Sequence, residues 1–367
     1  MEIPAEEDRL VSANGVRLSG RQWAGMGLFV LALYLLAPRL WSRLERLELG
    51  TDYRIPYDLS QDYWHFDRMA RAAAARYDTL VVGDSVVWGQ YVRRDHTLSH
   101  YLNVQAGAER FANLGLDGAH PLALTGLLEH YGGGIAGKNV LLHCNPMWLQ
   151  SPEADLRAWR EGIRINHPAL LPQHSSEIGA YREECSQRLG TFVEQRVPFH
   201  AWTRHLQVAY YNQMSVPAWT LERPYENPFG PITLKLPPPD EGLRHEAVSW
   251  TARGIRKQDF AWVDPAASLQ WRAFRRVVEI LEGRGNRVFV LVGPFNEHLL
   301  TEKGREGYLR VKGGIEAWLR ERKVPHVVPE VLPSEHYADA SHPLSDGYAL
   351  LARRIFESEA WKVARRE

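Results

Sequence analysis

Only two cysteines, Cys144 and Cys185, occur in 367 residues. They can build neither a disulfide framework nor a four-cysteine zinc site; one bridge or two free thiols are the alternatives. Charge of one sign is also missing, since 44 Lys+Arg balance 44 Asp+Glu. Nucleic acid is therefore not expected as a partner, because proteins that bind it carry a basic footprint. No internal repeat is visible. His96 and His100 stand four apart on an expected helix, but no third metal ligand accompanies them, so a solvated helix face is the better reading. The run Gly132-Gly133-Gly134-Ile135-Ala136-Gly137-Lys138-Asn139 comes close to a phosphate-binding loop. It lacks the hydroxyl residue that would hold magnesium, and it lies between a helix and a strand rather than the reverse. It reads as a turn.

Long apolar runs are absent except for one. Gln22–Pro38 carries no charge and is mostly apolar, and it extends through Leu40 and Trp41. At this length it sits at the short limit for a membrane-spanning helix. Trp23 and Trp41 would lie at the two interfaces, and Arg39 can snorkel to the headgroups. Three readings compete: a retained signal anchor, a cleaved signal peptide and a peripheral or buried helix. The anchor is preferred, because no small-x-small cleavage site follows the run. Arginines flank both ends, so the positive-inside rule does not orient it. The expected organisation is a polar, disordered tail at 1–21, an anchor at 22–41 and a linker at 42–60. An α/β domain follows at 61–362.

From residue 61 onward, strand and helix signals alternate. Strands are expected at 79–83, 110–114, 139–144, 287–292 and 325–328. Helices are expected at 61–76, 96–104, 121–131, 266–283, 305–322 and 345–358. Such alternation predicts an α/β fold, a three-layer α/β/α arrangement around a parallel sheet of about five strands. The stretch 150–265 interrupts it. Helices are expected there at 152–162 and 198–213, followed by a proline-rich segment. The stretch reads as a helical insertion that covers the site or binds a partner. Of the 13 tryptophans, Trp159, Trp202, Trp219, Trp250 and Trp262 fall within it. They would serve in packing or as platforms for sugar rings.

Chemistry concentrates at the strand ends. Gly83-Asp84-Ser85 follows the apolar run Leu80-Val81-Val82, and Asp339-Ala340-Ser341-His342 precedes the last expected helix. A serine at a sharp strand-to-helix turn projects its hydroxyl from the carboxyl edge of the sheet, where ligands bind in open α/β folds. The three-residue spacing lets Asp339 hold one ring nitrogen of His342 and leaves the other free to take the serine proton. His336 and Asp346 are nearby substitutes. Two more blocks end strands: Asn113-Leu114-Gly115-Leu116-Asp117-Gly118 and His143-Cys144-Asn145-Pro146. A glycine amide and an asparagine side chain there can join the Ser85 amide around an oxyanion.

This order of serine, glycine, asparagine and aspartate-x-x-histidine resembles the SGNH (GDSL-type) hydrolase superfamily. The likeness covers 79–145 and 285–360. It implies a flavodoxin-like sheet, with Ser85 as nucleophile and first oxyanion donor, Gly118 as second donor (Gly115 as fallback) and Asn145 as third. His342 is then the base and Asp339 its orienting partner, and no cofactor or metal is implied. The chain departs from the family pattern in Cys144-Asn145-Pro146, where Gly-x-Asn-Asp is frequent, and in Val86, where leucine is frequent. The implied activity is acyl-ester chemistry on an acyl-ester or carbohydrate substrate, as an esterase or O-acyltransferase. The layout is similar to that of membrane-anchored SGNH-type proteins that modify surface polysaccharides beside a membrane-bound O-acyltransferase. That analogy places the domain on the outer side. The alternative is a non-catalytic binding or assembly protein on the same fold.

Overall fold

Five short, Val- and Leu-rich runs form one all-parallel sheet: β1 (Thr79–Gly83), β2 (Phe111–Gly115), β3 (Asn139–Cys144), β4 (Arg287–Val292) and β5 (His326–Val327). The computed structural model describes residues 18–162, 164–236 and 243–364. Its helices up to the insertion are α1 (Gly20–Leu44), α2 (Tyr63–Arg76), α3 (Ser85–Trp88), α4 (Leu98–Ala106) and α5 (Pro121–Tyr131). Then come α6 (Cys185–Arg196), α7 (Pro198–Tyr210), α8 (Val216–Glu222), α9 (Leu269–Gly283), α10 (Glu302–Glu321), α11 (Ser345–Glu357) and α12 (Glu359–Ala364).

The strands lie in the order β2-β1-β3-β4-β5. From β1 the chain moves outward to β2 on one side, then returns to place β3 on the other. This reversal opens a crevice at the carboxyl ends of β1 and β3, where open α/β sheets bind ligands. The register levels those ends, with Gly83 opposite Gly115 and Val82 opposite Leu142.

Side chains that alternate along a strand reach opposite faces. Leu80, Val82, Leu114, Leu142 and Val290 enter one core with α2, α5 and α9. Val81, Leu141, Phe289 and Leu291 enter a second core with α4, α11 and α12. Burial on both faces explains why the strands read as continuous apolar runs. All five expected strands form within a residue or two of their predicted bounds.

Three expectations need correction. No helix forms over 152–162. Leu156 adopts φ 60°, which a helix excludes. The Asp155 carboxylate instead accepts from the Ser268 hydroxyl and from the backbone N–H groups of Leu269 (3.0 Å) and Gln270 (2.9 Å), so it caps α9. The second expected insertion helix forms as α7, ending at Tyr210 rather than 213, while α6 and α8 escape the sequence reading. The segment 42–60 is not a spacer throughout, because the compact unit starts at Glu45. Arg54 is buried within it, 4.2 Å above the Trp88 ring, and donates to the carbonyls of Gly89 (2.8 Å) and Val92 (2.9 Å).

The N-terminal unit consists of α1 among the described residues; most of the tail expected at 1–21 lies outside them. The helix starts before residue 22, where Gln22 Oε1 accepts from the Ser19 N–H (2.8 Å) in a capping-box arrangement. It continues past residue 41 to Leu44, for 25 residues. At about 1.5 Å per residue this is about 37 Å, against a bilayer core of about 30 Å. It is one helix long and apolar enough to cross a membrane.

Candidate active site

β1 ends at Gly83, and the chain turns at once into the single turn of α3. A side chain at Gly83 would meet Val87 Cγ2 at 2.5 Å and His143 Cβ at 2.7 Å, so glycine is required for the close approach. Asp84 caps the turn by accepting from the Val86 N–H (3.0 Å). Ser85 therefore stands first in α3, at the switch point of the sheet. Its side of the turn is held from α11, where the Tyr348 hydroxyl donates to the Val86 carbonyl (2.6 Å).

The loop before α11 brings the histidine across. Asp339 Oδ1 accepts from the backbone N–H groups of Ser341 (2.9 Å) and His342 (3.0 Å), which bends the chain back on itself. Asn296, just beyond β4, anchors this loop through Ala340 (2.8 Å) and the Asp339 carbonyl (3.1 Å). His342 Nδ1 then lies 2.9 Å from both Asp339 carboxylate oxygens, and His342 Nε2 lies 2.8 Å from Ser85 Oγ. Ser85, His342 and Asp339 are thus brought together across 257 residues of chain. His336 and Asp346, the nearby substitutes, do not take these positions.

Burial alone would lower the His342 pKa, but the charge and hydrogen bond of Asp339, helped by Asp84 and Asp117, outweigh it and raise it above an ordinary histidine. Burial works the opposite way on Asp339. There the His342 charge and the donated hydrogen bonds win, and its pKa falls to about 2. The pair favours a carboxylate beside an imidazole that readily accepts a proton.

Asp84 is the hub that sequence reasoning left without a role. Its carboxylate is buried and takes hydrogen bonds from Asn145 Nδ2 (2.7 Å), Trp148 Nε1 (2.9 Å) and His143 Nδ1 (3.0 Å). Burial opposes its ionisation, yet the His143 charge and these donors hold its pKa well below the usual carboxylate range. Asp84 thereby ties the end of β1 to the residues that follow β3. Asn145 spends one amide hydrogen on Asp84, and its Oδ1 accepts from the Met147 N–H (3.0 Å). Its second amide hydrogen has no partner among the described residues.

The structure separates the two candidate glycines after β2. The Gly115 N–H donates to Asn113 Oδ1 (2.9 Å), and a side chain there would meet the Trp88 nitrogen at 2.2 Å. Gly115 is a packing glycine under α3. Gly118 has φ 71°, and its N–H bonds no described group. Its loop is pinned from the insertion: His167 Nε2 donates to the Asp117 carbonyl (2.6 Å), and the Asn166 side chain occupies the space a Gly118 side chain would need. The Ser85 N–H is likewise unpaired among the described residues.

Asp117 and Tyr91 also border the imidazole. Burial raises the Asp117 pKa, with His342 acting against it and Asp84 with it. The Tyr91 ring centroid is 5.4 Å from that of His342, and its hydroxyl accepts from Arg253 of the insertion (2.8 Å). Asp84, His143 and Asp117 lay inside motif blocks and were findable there. Tyr91 and Arg253 had no such signal, because only the fold joins them. Both cysteines are free, with Cys144 buried and Cys185 exposed. His100 pairs with Asp52 (2.8 Å), and Lys138 donates to the Tyr77 carbonyl (3.2 Å). No protein-family profile matches this sequence, and no curated protein is significantly similar to it.

Proposed function

We propose that this chain carries out serine-dependent acyl-ester chemistry, as an esterase or O-acyltransferase acting on acetylated surface carbohydrate. The observation that carries the reading is the continuous relay from Ser85 Oγ through His342 to Asp339, with 2.8 and 2.9 Å contacts. Ser85 Oγ attacks the ester carbonyl carbon while His342 Nε2 takes its proton. Asp339 keeps Nδ1–H oriented and stabilises the imidazolium. The negative charge that develops on the carbonyl oxygen is met by the Ser85 N–H, the Gly118 N–H and the free amide hydrogen of Asn145. His342 returns the proton to the departing alkoxide, which leaves Ser85 acylated. A water or sugar hydroxyl, deprotonated by the same nitrogen, then takes the acyl group, and His342 Nε2 returns that proton to the departing Ser85 Oγ. Water makes the protein an esterase, and a carbohydrate hydroxyl makes it an O-acyltransferase.

The SGNH-like fold belongs to this reading, supported by the strand order, by three blocks at the ends of β1, β2 and β3, and by the fourth in the loop before α11. So does a single-pass anchor through α1, with the domain outside the membrane and a membrane-bound O-acyltransferase as donor partner. The test is covalent labelling of the full chain in detergent with a fluorophosphonate probe. Wild type should label at Ser85, whereas Ser85→Ala should not label and His342→Ala should label at least about 10³-fold more slowly. A folded wild type that stays unlabelled, or equal labelling of the Ser85→Ala protein, would remove the nucleophile and favour a binding role.

A further inference from the structure

A second concavity opens beside the oxyanion loop. It is a groove of about 380 Å³ built mainly from the insertion. Trp148 lines it and donates its indole N–H to Asp84, the residue next to the nucleophile. Asn166 lines it as well, with its side chain against Gly118. The groove therefore begins at the side chains that touch Asp84 and Gly118 and leads away along the insertion.

Its outer part has a distinct chemistry. Trp159 is 46% exposed, unusual for so large an apolar ring in a site with walls to pack against. The Arg182 guanidinium lies 4.5 Å from the ring centroid. Arg160 and Arg164 also line the groove and both are exposed; neither forms a hydrogen bond or close ion pair among the described residues, although Glu153 has its pKa lowered by a Ser151 hydrogen bond, helped by the Arg160 charge. Glu153 is the single carboxylate among the described residues that line it. An indole face suits the apolar face of a sugar ring. Exposed guanidiniums suit carboxylates, which they bind in bidentate fashion.

We infer that this groove is the subsite for an acidic carbohydrate chain, which stacks on Trp159 and places its carboxylates at Arg160 and Arg164. A ring of that chain bearing the ester, or the receiving hydroxyl, then lies next to Gly118 and Ser85. The inference deepens the acyl-ester reading and rests on it for the identity of the reacting centre.

The experiment measures binding to the full-length Ser85→Ala protein in detergent by titration calorimetry. One ligand is a uronic-acid oligosaccharide and the other a neutral glucan oligosaccharide of equal length. The acidic chain should bind about tenfold more tightly or better, the scale of one charge-assisted contact, and should weaken as salt rises. Replacing both arginines (Arg160→Gln with Arg164→Gln) should remove the preference for the acidic chain. Trp159→Ala should weaken both ligands. Equal binding of the two ligands, no binding of the acidic one, or an unchanged preference in the arginine variant overturns the inference. Binding here does not involve the Ser85 hydroxyl, whereas fluorophosphonate labelling does. The failure of the groove and the failure of the nucleophile are therefore separate results.

Discussion

At the scale of single residues, the site is a balance of three charges around one imidazole. Asp339 is ionised and held low, and His342 is raised by it. A general base works only when neutral, so the sign is fixed. The proposed activity is therefore predicted to rise with pH through the folded His342 pKa, with a midpoint above the ordinary value of about 6.5. Asp339→Asn removes the charge that raises it. The variant should lose about 10⁴-fold in kcat, and the acid limb of kcat/KM should move to lower pH. A full pH profile of ester hydrolysis by both proteins checks this; an acid limb that stays in place would mean that Asp339 does not control the imidazole. The glycines belong to the same scale. Gly83 and Gly115 are needed because backbones and side chains approach too closely for a Cβ, whereas Gly118 is needed for a left-handed turn.

At the scale of elements, the insertion is joined to the sheet domain by a buried ionic cluster remote in sequence from the site. His205 on α7 is completely buried between Asp62, the cap of α2 (2.6 Å), and Glu45 (2.9 Å). Burial would lower the His205 pKa, but the two carboxylates raise it to about 9. A histidine raised on folding stabilises fully below its unfolded pKa of about 6.5 and loses that contribution as pH climbs through about 9. His205→Gln leaves the Asp62 carboxylate buried without its cation, while Glu45 keeps Arg68, and should cost about 3 kcal/mol at pH 6. Its thermal midpoint should also lose most of the decline between pH 6.5 and 9.5 that wild type shows. Thermal unfolding across that range decides it, and parallel curves for the two proteins would rule out a protonated His205 as the link. The helix expected at 152–162 failed for a related reason. Asp155, which looked like an ordinary helix residue, is drawn to the start of α9.

At the scale of the whole molecule, a helix able to cross a membrane precedes a compact unit that begins at Glu45. The proposed outer location of that unit can be read with the chain's own thiols. Cys185 is exposed at the start of α6, while Cys144 is buried and burial raises its thiol pKa far above the ordinary range. A membrane-impermeant maleimide applied to intact cells should therefore label one site, and Cys185→Ser should abolish the signal. Labelling only after the cells are lysed would place the domain on the inner side. The groove beside the Gly118 loop, the ionic cluster and the crevice at β1 and β3 all lie within the Glu45–Glu367 unit.

The sequence alone determined the strands, the order of the motif blocks and the apolar helix, because each depends on neighbours a few residues away. Apolar runs buried on both faces announce parallel strands, and Gly83-Asp84-Ser85 and Asp339-x-x-His342 show locally a hydroxyl at a turn and an imidazole within reach of a carboxylate. Tertiary structure decided what depends on partners distant in the chain. It brought His342 rather than His336 to Ser85. It assigned Gly115 to packing and left the Gly118 N–H unpaired. It made Asp84 the tie between Asn145, Trp148 and His143, and it set Trp159 and two exposed arginines along one groove. Those choices follow from which surfaces meet when the sheet closes, and no spacing along the chain encodes them.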